Sequence, residues 1–323
     1  MLNRRRFGAL VGLTGAAAVL PGRAYAAPEP YPHRTVTLLT HSSPGGGSDV
    51  FLREMTRHLV KHLSATFVVE NVTGGSGARA LSRLATSRPD GSVFYATTPT
   101  YIYTSLLSRP PHTFRDVQPL ANVFTDAEVV YVRTENPART LRDLMAQARA
   151  RRGRWGAANP ASLERQAAER LRRAANVQAA VVSHEGGGDL MINVLNGTLD
   201  LGIGEIQEIR SQLDANRVRL VATFNPQRLT GYPDVPTVRE SGFDVVLRKF
   251  RGLAGPNGLP AEIVAVWERV IPRLLDDPEY KTLYQAENLA PDFIAQQQYA
   301  AFITEFARES ETFFRENGVT GGG

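Results

Sequence analysis

Hydrophobic and polar positions alternate with two different periods along this chain, and the changes of period predict strands and helices in turn. Residues 35–40 (TVTLLT) are short, β-branched and half apolar, which indicates a strand. From Ser48 the period lengthens, and apolar residues recur every three or four positions on one helix face, namely Leu52, Met55, Leu59 and Leu63. Strands at 67–71 and 93–98 follow, with a helix at about 78–86 between them. This βαβαβ order predicts parallel strand pairing.

A second series of alternating elements begins with a strand at 129–132. Further strands are predicted at 154–158, 179–184, 199–203 and 220–224. Helices are predicted between them at 141–151, 162–175, 189–196 and 205–215. A strand at 245–253 is expected to return to the first series, and the chain beyond Pro260 reads as mostly helical. The pattern predicts an α/β protein with two lobes, 27–126 with 249–323 and 127–248, joined by two crossings that leave a cleft between them.

The first 26 residues have the pattern of an export signal. Arg4, Arg5 and Arg6 precede an apolar run to Leu20, and a small-x-small site (AYA) ends at Ala26. The NRRRF segment resembles the twin-arginine signature, with an ordinary secretory signal as the alternative. We expect cleavage after Ala26 and a periplasmic mature chain.

Charge and composition narrow the function classes. The net charge of the 323-residue chain is +5, and it falls to +1 when the four arginines of residues 1–26 are removed. A nearly neutral mature protein lacks the basic footprint of a nucleic-acid binder. The chain has no cysteine, which excludes disulfides, thiol catalysis and cysteine-ligated metals.

Three glycines stand between the first predicted strand and its helix, in the stretch SPGGGSD at 43–49. Glycines allow a ligand to approach backbone amides, and a helix N-terminus favours an anion. Ser48 or Asp49 is expected to cap the helix. The stretch lacks both the P-loop pattern and the last glycine of the dinucleotide fingerprint, so a carboxylate is the favoured anion. A plain strand-to-helix turn is the alternative.

Other candidate groups give weaker signals. His58 and His62 have zinc-like spacing without the HExxH glutamate, so an exposed helix face is favoured. Glu185 and Glu205 are more typical of helix caps or amine ligands than of paired catalytic acids. Three neighbouring basic side chains could neutralise a second carboxylate of the ligand or form a charge cluster on the surface: Arg248, Lys249 and Arg251. We predict no catalytic residue, metal site or cofactor.

Six motifs in order resemble the Bug-type periplasmic receptors of tripartite tricarboxylate transporters. The matching segments are 31–36 (YPHRTV), 43–49 (SPGGGSD), 68–77 (VVENVTGGSG), 89–91 (PDG), 232–242 (YPDVPTVRESG) and 251–260 (RGLAGPNGLP). The resemblance covers nearly the whole mature chain and implies a type II periplasmic binding-protein fold, in which each lobe is a mostly parallel sheet flanked by helices.

The resemblance also implies a set of ligand-binding residues. The first clamp would be Ser43, Gly45, Gly46 and Ser48. The opposing clamp would be Asn159, Ala161 and Ser162, over a floor of Thr97 and Thr98. The remaining expected contacts are Ser42, Asp49, His184, Gly186 and Glu205. The chain departs from the family pattern at 41–43 (HSS) and 159–164 (NPASLE), and glycine stands at 204 where amino-acid-binding members have aspartate.

The resemblance therefore implies a monomeric receptor that closes over a small carboxylate and delivers it to membrane transporter subunits. Its partners would be an organic acid and those subunits, with no nucleic acid. An exported cofactor-dependent enzyme, or a sensing receptor without transport, are the alternatives.

Overall fold

The computed structural model describes residues 27–316, 318 and 319, which form two α/β lobes. The predicted export signal and its cleavage site lie outside the described residues. The first lobe begins with strands and helices in the order β1 Thr35–Thr40, α1 Gly47–Leu59, β2 Thr66–Asn71, α2 Ala78–Ala85, β3 Val93–Thr97, α3 Pro99–Ser108 and β4 Val117–Asp126.

The second lobe alternates strands and helices without interruption. Its elements are β5 Glu128–Arg133, α4 Leu141–Ala150, β6 Gly153–Ala158, α5 Leu163–Ala174, β7 Ala179–His184, α6 Gly187–Leu195, β8 Leu201–Glu205, α7 Ile206–Asp214 and β9 Val218–Thr223. The chain then returns to the first lobe with β10 Lys249–Pro256, α8 Ala261–Leu275, α9 Pro278–Ala286, β11 Ala290–Ile294 and α10 Gln296–Glu316.

Each lobe is built on one sheet, and both sheets are mixed. The orders are β11-β4-β10-β3-β1-β2 and β7-β6-β8-β5-β9. Pairing is parallel at β1–β2, β1–β3, β6–β7 and β6–β8, and antiparallel at the remaining pairs. The two-lobed α/β class is confirmed, whereas the description of the sheets as mostly parallel is wrong. The strands beside the crossings run against their neighbours because the chain enters each lobe from the other one.

β4 and α3 of the first lobe are among the elements that the sequence pattern did not predict. β4 is buried on both faces and contains Pro119 and Asn122, so it shows no clean alternation. The sheet accommodates Pro119 because the β4–β10 register shifts between Leu253 and Ala254. α3 begins with Pro99 at its first turn, a position that tolerates proline, and the sequence analysis predicted no helix there.

Separate apolar clusters support the lobes. Trp267 of α8 packs with Phe94 in the first lobe, and Trp155 of β6 is buried in the second. The second cluster also contains Tyr103 of α3 and Phe314 of α10, so the first lobe contributes aromatic rings to the core of the second. Within the described part of the chain, no helix combines the length and apolar character needed to cross a membrane.

Candidate functional site

The glycine loop between β1 and α1 is held by Asp49. Its Oδ2 accepts a hydrogen bond from the Gly45 amide at 2.9 Å, and its Oδ1 accepts from Arg53 Nε and Asn71 Nδ2, each at 2.9 Å. Burial raises the pKa of Asp49, but these hydrogen bonds outweigh it and hold the pKa below its ordinary value. The N-cap of α1 is Gly46, and it makes no side-chain cap bond. The prediction that Ser48 or Asp49 caps the helix is wrong, since Asp49 lies in the first turn and braces the loop instead.

One amide of this loop points to the other lobe. The amide of Gly46 is used within the loop, where it donates to the Ser43 carbonyl at 2.9 Å. The amide of Gly47 instead donates to Oε1 of Glu208 at 2.8 Å. A carboxyl group from α7 therefore occupies the anion position that the sequence predicted at the start of α1.

The carboxyl group of Glu208 is surrounded by backbone. Its Oε2 accepts a hydrogen bond from the Glu205 amide at 3.4 Å, within the first turn of α7. A Cβ on Gly187, the first residue of α6, would lie 2.2 Å from its carboxyl carbon. Three helix N-termini thus converge on one carboxyl group, those of α1, α6 and α7, and each end carries partial positive charge.

Lys249 lies at the centre of a buried charge cluster, where β10 leaves the second lobe. Its Nζ lies 2.6 Å from Glu128 Oε1 and 2.9 Å from Glu164 Oε1, and it also contacts Glu205. The side chain of Lys249 is 2% exposed, so water contributes little to its charge balance. The three acids come from β5, α5 and β8, so this ammonium ties the first lobe's returning strand to three elements of the second.

Arg251, two residues further along β10, forms the second half of the cluster. Its Nε donates to Asp126 Oδ2 at 3.0 Å, and its terminal nitrogens lie 3.3 Å from Glu205 Oε1 and 3.3 Å from Ser48 Oγ. The register of β4 and β10 brings Arg251 close to Asp126, because Lys249, two residues before Arg251, pairs with Asp126 in the first sheet. The cluster therefore stands at the two places where the chain passes between lobes.

The protonation of these groups follows from burial and from the two cations. Burial opposes ionisation of Glu205, but Lys249 and Arg251 outweigh it and lower its pKa to about 2. Burial, with the neighbouring acids, raises the pKa of Glu128 well above its ordinary value. Burial and Glu205 raise the pKa of Glu208 in the same direction. Burial lowers the pKa of Lys249, but the surrounding carboxylates reverse this effect and raise it well above the ordinary value. The cluster therefore has ionised Lys249, Arg251 and Glu205 at its centre, and the neutral acids Glu128 and Glu208 lie beside them.

A small cavity separates the lobes at this cluster. It has a volume of about 10 Å³ for the centre of a water molecule, which is room for about one water. Six predicted site residues line it: Ser42, Ser48, Thr98, Asn159, Gly186 and Glu205. Six further residues line it as well: His41, Thr100, Ala158, Glu164, Glu208 and Lys249. Burial lowers the pKa of His41 to about 4, so this imidazole is neutral near pH 7.

Several predicted contacts have other partners in the structure. Thr97 Oγ1 is bonded to the Tyr299 hydroxyl at 2.7 Å, and Asp49 braces its own loop. Ser162 caps α5 by accepting from the Arg165 amide at 3.0 Å. These three side chains do not line the cavity, because secondary structure or a neighbouring ring uses their polar atoms.

The other predicted contacts stand beside the cavity. Ser43 Oγ is buried and has no hydrogen-bond partner within residues 27–316, 318 and 319, and a Cβ on Gly186 would lie 2.2 Å from it. His184, at the end of β7, has a buried Nε2 that finds no hydrogen-bond partner in the described part of the chain. The Ala161 amide donates to Ser76 Oγ of the first lobe at 3.4 Å. Gly45 is exposed, and its amide is taken by Asp49.

Four acids of the cluster were missed by sequence reasoning, namely Asp126, Glu128, Glu164 and Glu208. The sequence carried one signal for them, because Asp126 and Glu128 interrupt an otherwise apolar stretch at the first lobe crossing. The three basic residues that the sequence analysis singled out differ in burial. Lys249 and Arg251 are buried, whereas Arg248 is exposed.

His58, in α1, and His62, just after the end of this helix, have a structural role. The His58 Nδ1 lies 3.7 Å from Asp277 Oδ1, and the His62 Nε2 lies 3.5 Å from Asp277 Oδ2. Lys61 Nζ contacts the same Asp277 at 3.2 Å. The favoured interpretation of an exposed face is wrong for His62, which is buried. These groups join α1 to α9.

Comparison with known proteins places the chain in a family. A model described as tripartite tricarboxylate transporter family receptor matches residues 51–319. A protein named from the gbd 5' region of Cupriavidus necator is 24% identical, with 98% of this chain and 99% of that protein covered. Protein BugT of Bordetella pertussis is also 24% identical, over 98% of this chain and 99% of its own length.

Solved structures share the fold. A periplasmic transporter structure has a TM-score of 0.85 at 23% identity, and covers 90% of this chain and 100% of its own. A Rhodopseudomonas palustris protein solved with adipate has a TM-score of 0.84 at 22% identity, covering 90% and 99%. MatC from the same species, solved with bound malate, has a TM-score of 0.79 at 24% identity, covering 87% and 99%. With the family model matching most of its length, this chain belongs to the receptors of the tripartite tricarboxylate transporter family.

Proposed function

We propose that the mature chain is a periplasmic receptor that binds a small carboxylate solute between its two lobes and delivers it to the membrane subunits of a tripartite tricarboxylate transporter. The lobes are residues 27–126 with 249–323, and residues 127–248. The protein acts as a monomer by binding alone, without a catalytic step or a cofactor.

The observation that carries this proposal is the hydrogen bond from the Gly47 amide to the Glu208 carboxyl group, at 2.8 Å. This hydrogen bond supports the proposal that a position between the lobes accepts a carboxyl group. Backbone amides at the start of α1 and α7 form this position, namely those of Gly47 and Glu205, and a helix N-terminus favours a negative group. A solute carboxylate has the chemistry that such amides recognise.

Closure provides the mechanism. A solute that contacts both lobes binds the closed arrangement better than the open one, and so shifts the population towards closure. The two crossings, at 126–128 and at 248–249, are the segments about which the lobes can rotate. A cavity with room for about one water requires that the lobes separate before a solute enters.

The relatives support the ligand class. Two of the similar structures were solved with the dicarboxylates adipate and malate. Ser42, Ser48, Thr98, Asn159 and Gly186 supply hydroxyl, amide and backbone groups around the same cavity, and we assign them to the solute.

The export proposal rests on the sequence of residues 1–26. A periplasmic receptor must cross the inner membrane, and the arginine-rich start, apolar run and small-x-small site fit this need. Replacing Arg4, Arg5 and Arg6 by lysine should stop export by the twin-arginine route. An unchanged periplasmic yield would indicate the ordinary secretory route.

A thermal-shift screen of residues 27–323 tests the proposed function. The panel contains adipate, malate, citrate and benzoate, and adipamide serves as the uncharged match for adipate. A solute at one hundred times its dissociation constant stabilises the fold by about 2.7 kcal/mol, a rise of about 4–5 °C in the midpoint. We expect a rise with one class of carboxylate and none with adipamide. No rise with any carboxylate, together with no ligand released on denaturation and seen by mass spectrometry, contradicts the proposal.

A further inference from the structure

The anion position at the start of α1 already has an occupant from the chain itself. The Glu208 carboxyl group accepts hydrogen bonds from the Gly47 amide of one lobe and the Glu205 amide of the other. It lies where a solute carboxylate would have to lie in order to use the same amides.

We propose that Glu208 is a built-in competitor for the solute: its carboxyl group occupies the carboxylate position at Gly47, and a solute carboxylate binds there by displacing it. This inference rests on the proposed function and adds a residue that sets affinity and selects the ligand class. A solute that cannot accept hydrogen bonds from the Gly47 and Glu205 amides cannot replace the bonds that Glu208 gives up, and so it is rejected.

The contacts of the two neighbouring acids explain why Glu208 is the one that moves. Glu205 is fixed by Lys249 and by Arg251, both buried cations of β10. Glu208 accepts backbone hydrogen bonds from the amides of Gly47 and Glu205, and its carboxyl group shares a side-chain hydrogen bond with Glu205. Its displacement therefore breaks no ion pair with Lys249 or Arg251. Exchange of one carboxyl group for another also leaves the hydrogen bonding of the Gly47 amide intact.

The neighbouring glycines fit this exchange. A Cβ on Gly187 would meet the Glu208 carboxyl oxygens at 2.3 Å, and one on Gly204 would meet Oε2 at 2.7 Å. The position is thus shaped for a carboxyl group and closed to larger groups by backbone on two sides.

A second observation marks where the rest of the solute would lie. Thr98 is 2% exposed and lines the same cavity, and its Oγ1 has no hydrogen-bond partner among the described residues. A buried hydroxyl without a partner is costly, so this group is an available contact for a ligand. It belongs to the first lobe, while Glu208 belongs to the second. A solute that replaces Glu208 can therefore contact both.

The test measures dissociation constants by titration calorimetry for wild type, Glu208→Ala, Glu208→Gln and Asp214→Ala. The probes are adipate, malate, citrate and benzoate, with adipamide as the uncharged control. Asp214 is an exposed acid at the end of the same helix, paired with Arg210, and it serves as the matched control. Circular dichroism and solution scattering establish that each variant is folded.

We expect Glu208→Ala to bind the carboxylate probe about 3- to 10-fold more tightly, because the probe no longer displaces a hydrogen-bonded group. Glu208→Gln should stay within about twofold of wild type, because its amide oxygen still accepts from Gly47. Asp214→Ala should not differ from wild type. Scattering should also show Glu208→Ala to be more open before the probe is added.

The opposite results are equally informative. If wild type binds a carboxylate and Glu208→Ala binds it equally or more weakly, then Glu208 contacts the solute or is irrelevant to it, and the competitor role is wrong. If Glu208→Ala does not fold, an unchanged affinity in Glu208→Asp, whose shorter side chain cannot reach Gly47, overturns it. If no variant binds any carboxylate, both this inference and the proposed function fail. Binding by Glu208→Ala alone would support both.

Discussion

Replacing Lys249 by methionine should destabilise the protein strongly, and should do so in a pH-dependent way. The substitution keeps the length of the side chain and removes the ammonium that contacts Glu128, Glu164 and Glu205. Because those side chains are 1–6% exposed, water cannot replace the lost charge. Breaking a buried ion pair from one side typically costs 3–5 kcal/mol.

The free-energy cost of Lys249→Met can also be worked out from the protonation of the carboxyl groups that lose their cation. A carboxyl group with an ordinary pKa of about 4.3 must bind a proton to remain buried without a cation, which costs about 4 kcal/mol at pH 7 and about 1 kcal/mol at pH 5. The folded-state pKa of that acid is raised in the variant. Its contribution to stability is therefore present at low pH and is lost as the pH rises. The penalty of Lys249→Met should thus fall from about 4 kcal/mol at pH 7 to about 1 kcal/mol at pH 5.

Urea unfolding of residues 27–323 at pH 5, 6 and 7, followed by circular dichroism, measures this penalty. Lys281→Met is the matched control, since Lys281 is exposed on α9 and should change stability by less than about 0.5 kcal/mol. A penalty below 1 kcal/mol at pH 7, or one that does not depend on pH, would refute the account of the charge cluster.

Two further predictions concern neighbouring threonines and one acid. Thr98→Val should reduce carboxylate affinity about 3- to 10-fold and leave the free energy of unfolding unchanged. Thr97→Val should instead lower the free energy of unfolding by about 1 kcal/mol, because it breaks the hydrogen bond to Tyr299. Equal effects of the two variants in thermal unfolding and in ligand titration would contradict this prediction. Burial raises the pKa of Glu287 to about 7, so it contributes stability that is complete below about pH 4.5 and is lost as the pH rises through 7, in total about 3 kcal/mol. Glu287→Gln should flatten that part of the stability curve in urea titrations, and an unchanged slope would show that Glu287 is not the group responsible.

Much of the fold could be predicted from the sequence, because local patterns carry it. The alternation of strands and helices follows from side-chain periodicity, as in β1 and α1. The six predicted residues around the cavity, from Ser42 to Glu205, lie where parallel strands of each lobe end at one edge of their own sheet, and these two edges face each other. β4 could not be recognised, since burial on both faces and Pro119 remove the alternation that marks a strand.

The interior of the site could not be predicted in the same way. Lysine, arginine and glutamate are exposed in most proteins, so Lys249 and Glu164 read as surface residues. Their burial depends on closure of one lobe over the other, which no local pattern encodes. The position of Glu208 is a consequence of that closure too, because the amide it meets lies 161 positions away in the chain.

The position of β10 in the first sheet has a consequence for how the protein is made. β10 lies between β3 and β4, yet it follows them only after the whole second lobe. When a ribosome has synthesised β1 to β4, the nascent sheet therefore has a gap at its centre. The second lobe is contiguous in sequence and can fold as a unit while the first lobe waits for residues 249–256. The same long-range pairing predicts a slow final step in refolding, set by the arrival of β10, and a half-made chain with two unprotected strand edges that chaperones would have to cover.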